Sequence, residues 1–257
     1  FMVTGLNTFS EYFKEYQNCY LIIGGTACDI ILEDAGFSPR VTKDIDVILI
    51  VEVIEPAFVQ RFWEFIKDGG YEIMQEESEK RNCYRFSRPR TEAFPKMVEL
   101  FSRTPDAIPR KEGMYLTPIP TEEGLSSLSA ILLNEAYYDF TKIHSAFKNN
   151  IHFAKPHAII CLKAYAYLSN QSRQDAGQAV RTDDILKHKY DVFRMVLMLR
   201  PDDVFELPQK IQADLQQFAD VIKDVLPDPA IFKANGFGTV NVQAVFEQLL
   251  KSFNLKA

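Results

Sequence analysis

The sequence predicts an α+β protein, with a sheet-containing region over residues 1–153 and a helical region over residues 154–257. Two observations carry this. The first part holds short runs rich in Val, Ile and Leu, broken by Gly, Pro and Asp, as strands are. From Pro156 onward those runs give way to apolar residues spaced three and four apart, as on helix faces. A chain of 257 residues suits one large domain or two modest ones.

Taken in order, Thr8–Gln17 reads as a short helix with Thr8 or Ser10 as N-cap. Tyr20–Ile23 is an apolar strand. Thr26–Ala35 is a helix whose Ala27, Ile30, Ile31 and Ala35 mark one face, and Gly36 ends it. Asp44–Val53 is apolar on both faces beyond its first residues, the pattern of a covered central strand. Pro56–Lys67 is a helix closed by Asp68-Gly69-Gly70. Tyr71–Met74, Asn82–Ser87 and Lys96–Ser102 are further strands. Tyr115–Ile119 and Leu128–Leu133 add edges, the second readable as strand or helix. Pro156–Asn170, Thr182–Leu199, Pro208–Val225 and Val240–Phe253 are helices by periodicity, the first with Pro in its opening turn.

Composition narrows the function classes. A net charge of −6 argues against general affinity for nucleic acid or anionic membranes, though not against a local basic site. The four cysteines, Cys19, Cys28, Cys83 and Cys161, lack C-x-x-C spacing, which disfavours a zinc site or a disulfide framework. A reducing cytoplasm is the expected setting. The opening residues do not read as a secretory signal, and no apolar run has the ~18 residues of a membrane span.

The chemistry-bearing stretch is Tyr20–Val51. An apolar run ends in Gly24-Gly25-Thr26, a turn feeding a helix, where backbone N–H groups can approach an anion. Thr26 adds a hydroxyl at the helix start. The next strand opens Asp44-Ile45-Asp46. Residues i and i+2 of a strand share a face, so both carboxylates point one way and Ile45 the other. Like charges on a covered strand repel and lose hydration, and a divalent cation removes both penalties. Glu99, between apolar residues of another strand, is a third acid that needs a partner. That partner is a shared metal or a cation such as Arg85 or Arg103. Three carboxylates around metal ions suit in-line nucleotidyl transfer.

Gly-Gly-Thr, then Arg40-Val41-Thr42-Lys43-Asp44-Ile45-Asp46, then an isolated strand glutamate, resembles the polymerase-β-type nucleotidyltransferase superfamily. Within it, the phrase is most similar to the abortive-infection branch, which includes nucleotidyltransferase toxins of bacterial toxin–antitoxin pairs. The resemblance covers about the first hundred residues best. It implies a twisted mixed sheet with flanking helices and a helical domain closing the nucleotide cleft. It implies Mg2+ or Mn2+ on Asp44, Asp46 and Glu99, and an NTP held by Gly24, Gly25 and Thr26. From the helical half it points to Lys163, Lys189 and Asp191, with Lys187 as the alternative to Lys189 two residues away. Glu99 or Asp191 would be the base. The resulting expectation is a cytoplasmic enzyme that moves NMP from an NTP to a hydroxyl. A tRNA end, a protein hydroxyl and a small molecule are the acceptors left open, and an antitoxin encoded nearby is an implied partner. For a tRNA acceptor the local basic rim would be Arg173, Arg181, Lys187, Lys189 and Arg194. The rival is a non-catalytic nucleotide-binding or partner-binding module. Taken without the resemblance, Lys163 reads as a snorkelling lysine, and Asp184, Lys187 and Asp191 as a salt-bridged surface.

Overall fold

A computed structural model describes residues 3–40, 42–73, 85–103, 116–119 and 128–257, the stretches 116–119 and 128–132 by their backbone. Contacts divide the chain into two compact units. One comprises Phe1–Asp29 with Val41–Ala154, and the other Ile30–Arg40 with Lys155–Ala257. Thus the segment after the glycine turn belongs with the helical unit, although it lies far from it in sequence.

In the first unit α1 (Leu6–Phe13) runs into a 3-10 segment, Lys14–Cys19. Thr8 lies inside α1 and donates its hydroxyl to the Ala93 carbonyl, so it caps nothing. The elements that follow are β1 (Tyr20–Ile23), α2 (Gly24–Asp34), β2 (Asp44–Leu49), α3 (Pro56–Gly69) and β3 (Glu72–Ile73). Next come β4 (Arg85–Ser87), β5 (Met97–Arg103), β6 (Leu116–Ile119) and β7 (Leu128–Leu133), which is a strand and not a helix. The expected strand residues Met74, Asn82, Cys83, Tyr84 and Tyr115 lie outside the described residues. The unit closes with α4 (Glu135–Ile143), β8 (Ser145–Lys148) and β9 (Ile151–Ala154).

The strands form one mixed sheet in the order β3-β4-β5-β2-β1-β9-β8, with β7 beside the far end of β5 and β6 beside β7. The central strand β2 is antiparallel to β1 and parallel to β5. It ends at Leu49 and not at Val53. Glu52 there is gripped by Tyr138, Lys142 and Arg103, and Val53 turns out to solvent. The β8–β9 hairpin escaped sequence reading, although Asn149 and Asn150, both at positive φ, are the residues a tight two-residue turn selects.

Register fixes which face is covered. Tyr20 opposes Leu49, Ile22 opposes Val47, Ile45 opposes Val98, and Val98 opposes Phe86. Directly opposed side chains share a face. On that face α1 and α3 lay a cluster of rings: Phe9 and Phe13 meet Tyr20, and Phe62 meets Phe86. The opposite face carries Asp44, Asp46, Glu99 and Arg85.

The second unit is helical: α5 (Pro156–Asp175), α6 (Thr182–Val196), α7 (Gln209–Ile222), α8 (Pro229–Ala234) and α9 (Val242–Ser252). Pro opens both α5 and α8, as its missing N–H allows. Its core draws Ile160, Val192, Phe193, Leu215, Phe218 and Leu249, all under 2% exposed. No described helix is long and apolar enough to cross a membrane.

Candidate functional site

The site begins where β1 turns into α2. Gly24 has φ +68°, and a Cβ built on it would lie 1.9 Å from Asp46 Oδ2. Both facts require glycine: the left-handed backbone disfavours L side chains, and the Asp46 carboxylate fills the space a Cβ would take. Gly25 is nearly as tight, since a Cβ there would be 3.0 Å from Thr42 Oγ1. Thr26, fully buried, donates its hydroxyl to the Asp44 carbonyl at 2.6 Å. Asp29, one turn further along α2, accepts the Thr42 N–H at 2.7 Å. The glycine turn and the Thr42–Asp46 segment are therefore built against each other.

This geometry corrects two sequence readings. Thr26 was expected to present its hydroxyl to a nucleotide, and it points inward as a brace for β2. The helix also starts at Gly24, not at Thr26, so the glycines belong to its first turn. Asp29 had no role in the sequence reading. Its signal is an acid held between Cys28 and Ile30, where burial demands a donor, and the structure supplies the Thr42 amide.

Asp44 and Asp46 are half-buried and alternate with buried Ile45 and Val47 along β2. Glu99 is the direct neighbour of Asp46 on β5, and Arg85 the direct neighbour of Glu99 on β4. The three acids thus share one face, as their strands imply. Arg85 pairs with one oxygen of Glu99: its Nε donates to Oε1 at 2.6 Å, and its Nη2 joins the same oxygen. This is the ion pair with Arg85 that the sequence offers Glu99. No three His, Cys, Asp or Glu side chains among the described residues converge as a ready metal set. Asp44 and Asp46 alone still fit a divalent ion of the Mg2+ type, which often takes one or two carboxylates and completes its shell with water and phosphate oxygens.

The helical unit holds a different constellation. Asp191 is fully buried. Its Oδ1 meets Arg40 at 2.8 Å and Arg194 at 2.9 Å, and its Oδ2 meets Lys163 at 3.0 Å. Burial pushes its carboxyl upward, but Lys163, Arg40 and Arg194 outweigh that and hold it below the usual carboxylate value. With both oxygens engaged by cations, Asp191 is a poor base, and Lys163 serves it as an ion-pair partner.

Lys189 does not join this group. Two residues along a helix lie on different faces, and Lys189 is buried against the turn after α7, donating to the Val225 carbonyl at 2.7 Å. Burial lowers its pKa. The pairing of Lys189 with Asp191 in one catalytic wall therefore does not hold. Lys187 is exposed and pairs with Asp184 at 3.0 Å, three residues away, as a surface helix pair does. The expected basic rim shrinks likewise. Lys189 and Arg194 are buried, while Arg181 and Lys187 face Asp183 and Asp184. Arg85 is the ion-pair partner that the sequence offers Glu99, and Arg40, known from the sequence only as the first residue of the Arg40–Asp46 phrase, is one of three cations on Asp191.

No protein-family model and no curated protein matches the chain.

Proposed function

We propose that this chain is a metal-dependent nucleotidyltransferase that moves NMP from an NTP to a hydroxyl acceptor and releases pyrophosphate. One observation carries the reading. Asp44 and Asp46 share a half-buried sheet face, and Gly24 is packed so closely on Asp46 that no Cβ fits between them. The first N–H groups of α2 have no acceptor within the helix and are suited to phosphate oxygens beside that face. Asp44 and Asp46 would hold the divalent cation, which when bound neutralises charge on the phosphates and acidifies the attacking hydroxyl. Thr26 and Asp29 would act indirectly, by holding β2 against the turn. The toxin role rests on the resemblance alone. A tRNA acceptor gains no support from the cations of α6, most of which are buried or paired.

The Arg85–Glu99 pair favours a second reading, a nucleotide-binding module without catalysis on the same face. One experiment separates the two. Each labelled NTP is incubated with Mg2+ or Mn2+ and with total RNA, protein lysate or small polyols, and thermal stabilisation by NTP is measured in parallel. Label transfer that is lost in Asp44→Asn and Asp46→Asn supports the enzyme. Thermal stabilisation without transfer supports the module. Neither effect in any combination sinks both.

A further inference from the structure

We propose that Ser145 and His152 form a nucleophile–base pair that takes an acyl group from a small apolar carboxylic ester, a chemistry separate from that of the acidic face. All the residues involved lie in the first unit. His152 on β9 is buried, and both of its ring nitrogens are engaged. Nδ1 lies 3.1 Å from the Gln17 carbonyl oxygen, and Nε2 lies 2.7 Å from Ser145 Oγ on the paired strand β8. A carbonyl oxygen only accepts, so Nδ1 carries the hydrogen and Nε2 of the neutral ring is the acceptor. The hydrogen it accepts is that of the Ser145 hydroxyl. The same hydroxyl lies 2.8 Å from the Lys142 carbonyl, so one hydrogen serves two acceptors. Burial lowers the pKa of His152, against the opposite effect of the Gln17 and Tyr20 backbone, and keeps the imidazole neutral at pH 7. The Phe147 ring stacks on the imidazole, with centroids 4.0 Å apart and planes at 14°. A hydroxyl within hydrogen-bond reach of a base, and a base oriented by a third group, is the arrangement that activates a serine.

The surroundings point to an acyl substrate. Among the described residues β8 pairs with β9 alone, so its other edge is open. The two-residue Asn149-Asn150 turn makes Lys148 and Ile151 the closing hydrogen-bonded pair. Hydrogen-bonded and non-hydrogen-bonded pairs alternate from there, so the Ser145 N–H points away from β9. It is a donor for the oxyanion formed on the acyl carbon, as the nucleophile's own N–H is in serine proteases. Phe147 shares a face with Ser145 and is 55% exposed, an apolar wall for the acyl chain. In the first step Ser145 Oγ bonds to the ester carbonyl carbon while its hydrogen passes to His152 Nε2. The bond from that carbon to the alcohol oxygen then breaks, and the alcohol leaves with the proton. Water repeats the sequence, releasing the acid and restoring Ser145.

The test uses the full chain with a fluorophosphonate probe and with p-nitrophenyl butyrate. Mass spectrometry should find the probe on Ser145, and Ser145→Ala should lose it. His152→Asn keeps an N–H toward Gln17 but removes the base, and should slow both labelling and hydrolysis about 100-fold or more. Phe147→Ala should raise KM for the butyrate ester and leave kcat within about twofold. Circular dichroism confirms that each variant is folded, and if His152→Asn is not, Ser145→Ala and Phe147→Ala decide the outcome. No label, a label on another residue, or full labelling in folded His152→Asn overturns the inference and leaves Ser145 as a brace between the hairpin and α4. None of these outcomes bears on nucleotidyl transfer, which uses other residues.

Discussion

Asp46 and Asp191 are both aspartates set among apolar residues, yet the two units treat them in opposite ways. Asp46 shares a half-buried face with Asp44 and Glu99, where Arg85 pairs with Glu99. Asp191 is buried completely and receives three cations from three separate segments of its unit. A carboxylate with excess cations and no access to solvent is a strut. A group of carboxylates on a face that solvent reaches is open to a ligand. The degree of exposure, more than residue type, separates the two roles.

The contrast predicts opposite costs for the same kind of substitution. Asp191→Ala would leave Arg40, Lys163 and Arg194 crowded around an uncompensated cavity. Removing one member of a buried ion cluster costs about 3–5 kcal/mol, and urea denaturation should show that loss. Asp46→Asn should change stability by less than about 1 kcal/mol, because it removes a like-charge contact with Asp44 and Glu99 on a half-exposed face. Equal losses at the two positions would erase the distinction between strut and site.

The next effect belongs to the surroundings of Asp191. His188 lies on the same helix, and its Nδ1 has no hydrogen-bond partner among the described residues. Burial first, then the charges of Lys163 and Lys187, push its pKa down to about 3, against the opposing pull of Asp191 and Asp184. In the unfolded chain it titrates near ~6.5. Between those values the unfolded state binds the extra proton, so stability is full above about pH 6.5 and declines as the pH falls toward 3. At pH 5 the loss should approach about 2 kcal/mol, and it should be absent in His188→Asn. Asp191 acts lower. Its depressed carboxyl contributes stability that is complete above the unfolded value of ~3.9 and disappears only below it. Denaturation midpoints at pH 7, 5 and 3 in the two variants separate the two windows. A decline above pH 5 that survives His188→Asn would assign it elsewhere.

Gly24 ties the acidic face to its scaffold. Gly24→Ala meets a left-handed backbone costing roughly 1–2 kcal/mol, and its methyl group must also displace the Asp46 carboxylate. The expected result is a modest drop in stability with a disproportionate loss of Mn2+ affinity, more than about tenfold or ~1.4 kcal/mol. A stability loss with unchanged Mn2+ binding would remove Asp46 from the metal site.

These contrasts also mark what the sequence could carry. Strand alternation was enough to place Asp44 and Asp46 on one face and Ile45 and Val47 on the other, because period two is a local property of the backbone. The Gly24-Gly25 turn was legible for the same reason. Which arginine would pair with Glu99 was not, since its neighbours come from β2 and β4 and depend on strand order. Arg40 and Asp191 are 151 positions apart, and no periodicity connects them. Lys189 fits the spacing of a helix face as well as Lys187 does. Only the packing of α6 against the end of α7 shows that one is buried against a carbonyl and the other is in solvent.

Lys187 gives the smallest and cleanest test of that distinction. Its ammonium pairs with Asp184 at 3.0 Å, with both side chains nearly half exposed. The pair draws the Asp184 carboxyl below its ordinary value, chiefly through the Lys187 contact. Exposed pairs of this spacing contribute about 0.3–0.5 kcal/mol and weaken with salt. Lys187→Ala should therefore cost no more than that in urea denaturation, and the cost should fade in about 0.5 M NaCl, where the Debye length is below ~5 Å. NTP-dependent thermal stabilisation should not change. If Lys187→Ala instead abolished NTP binding while leaving the fold intact, the lysine would belong to the ligand and its pairing with Asp184 would be incidental. The acidic face of the first unit would then no longer account for nucleotide binding by itself.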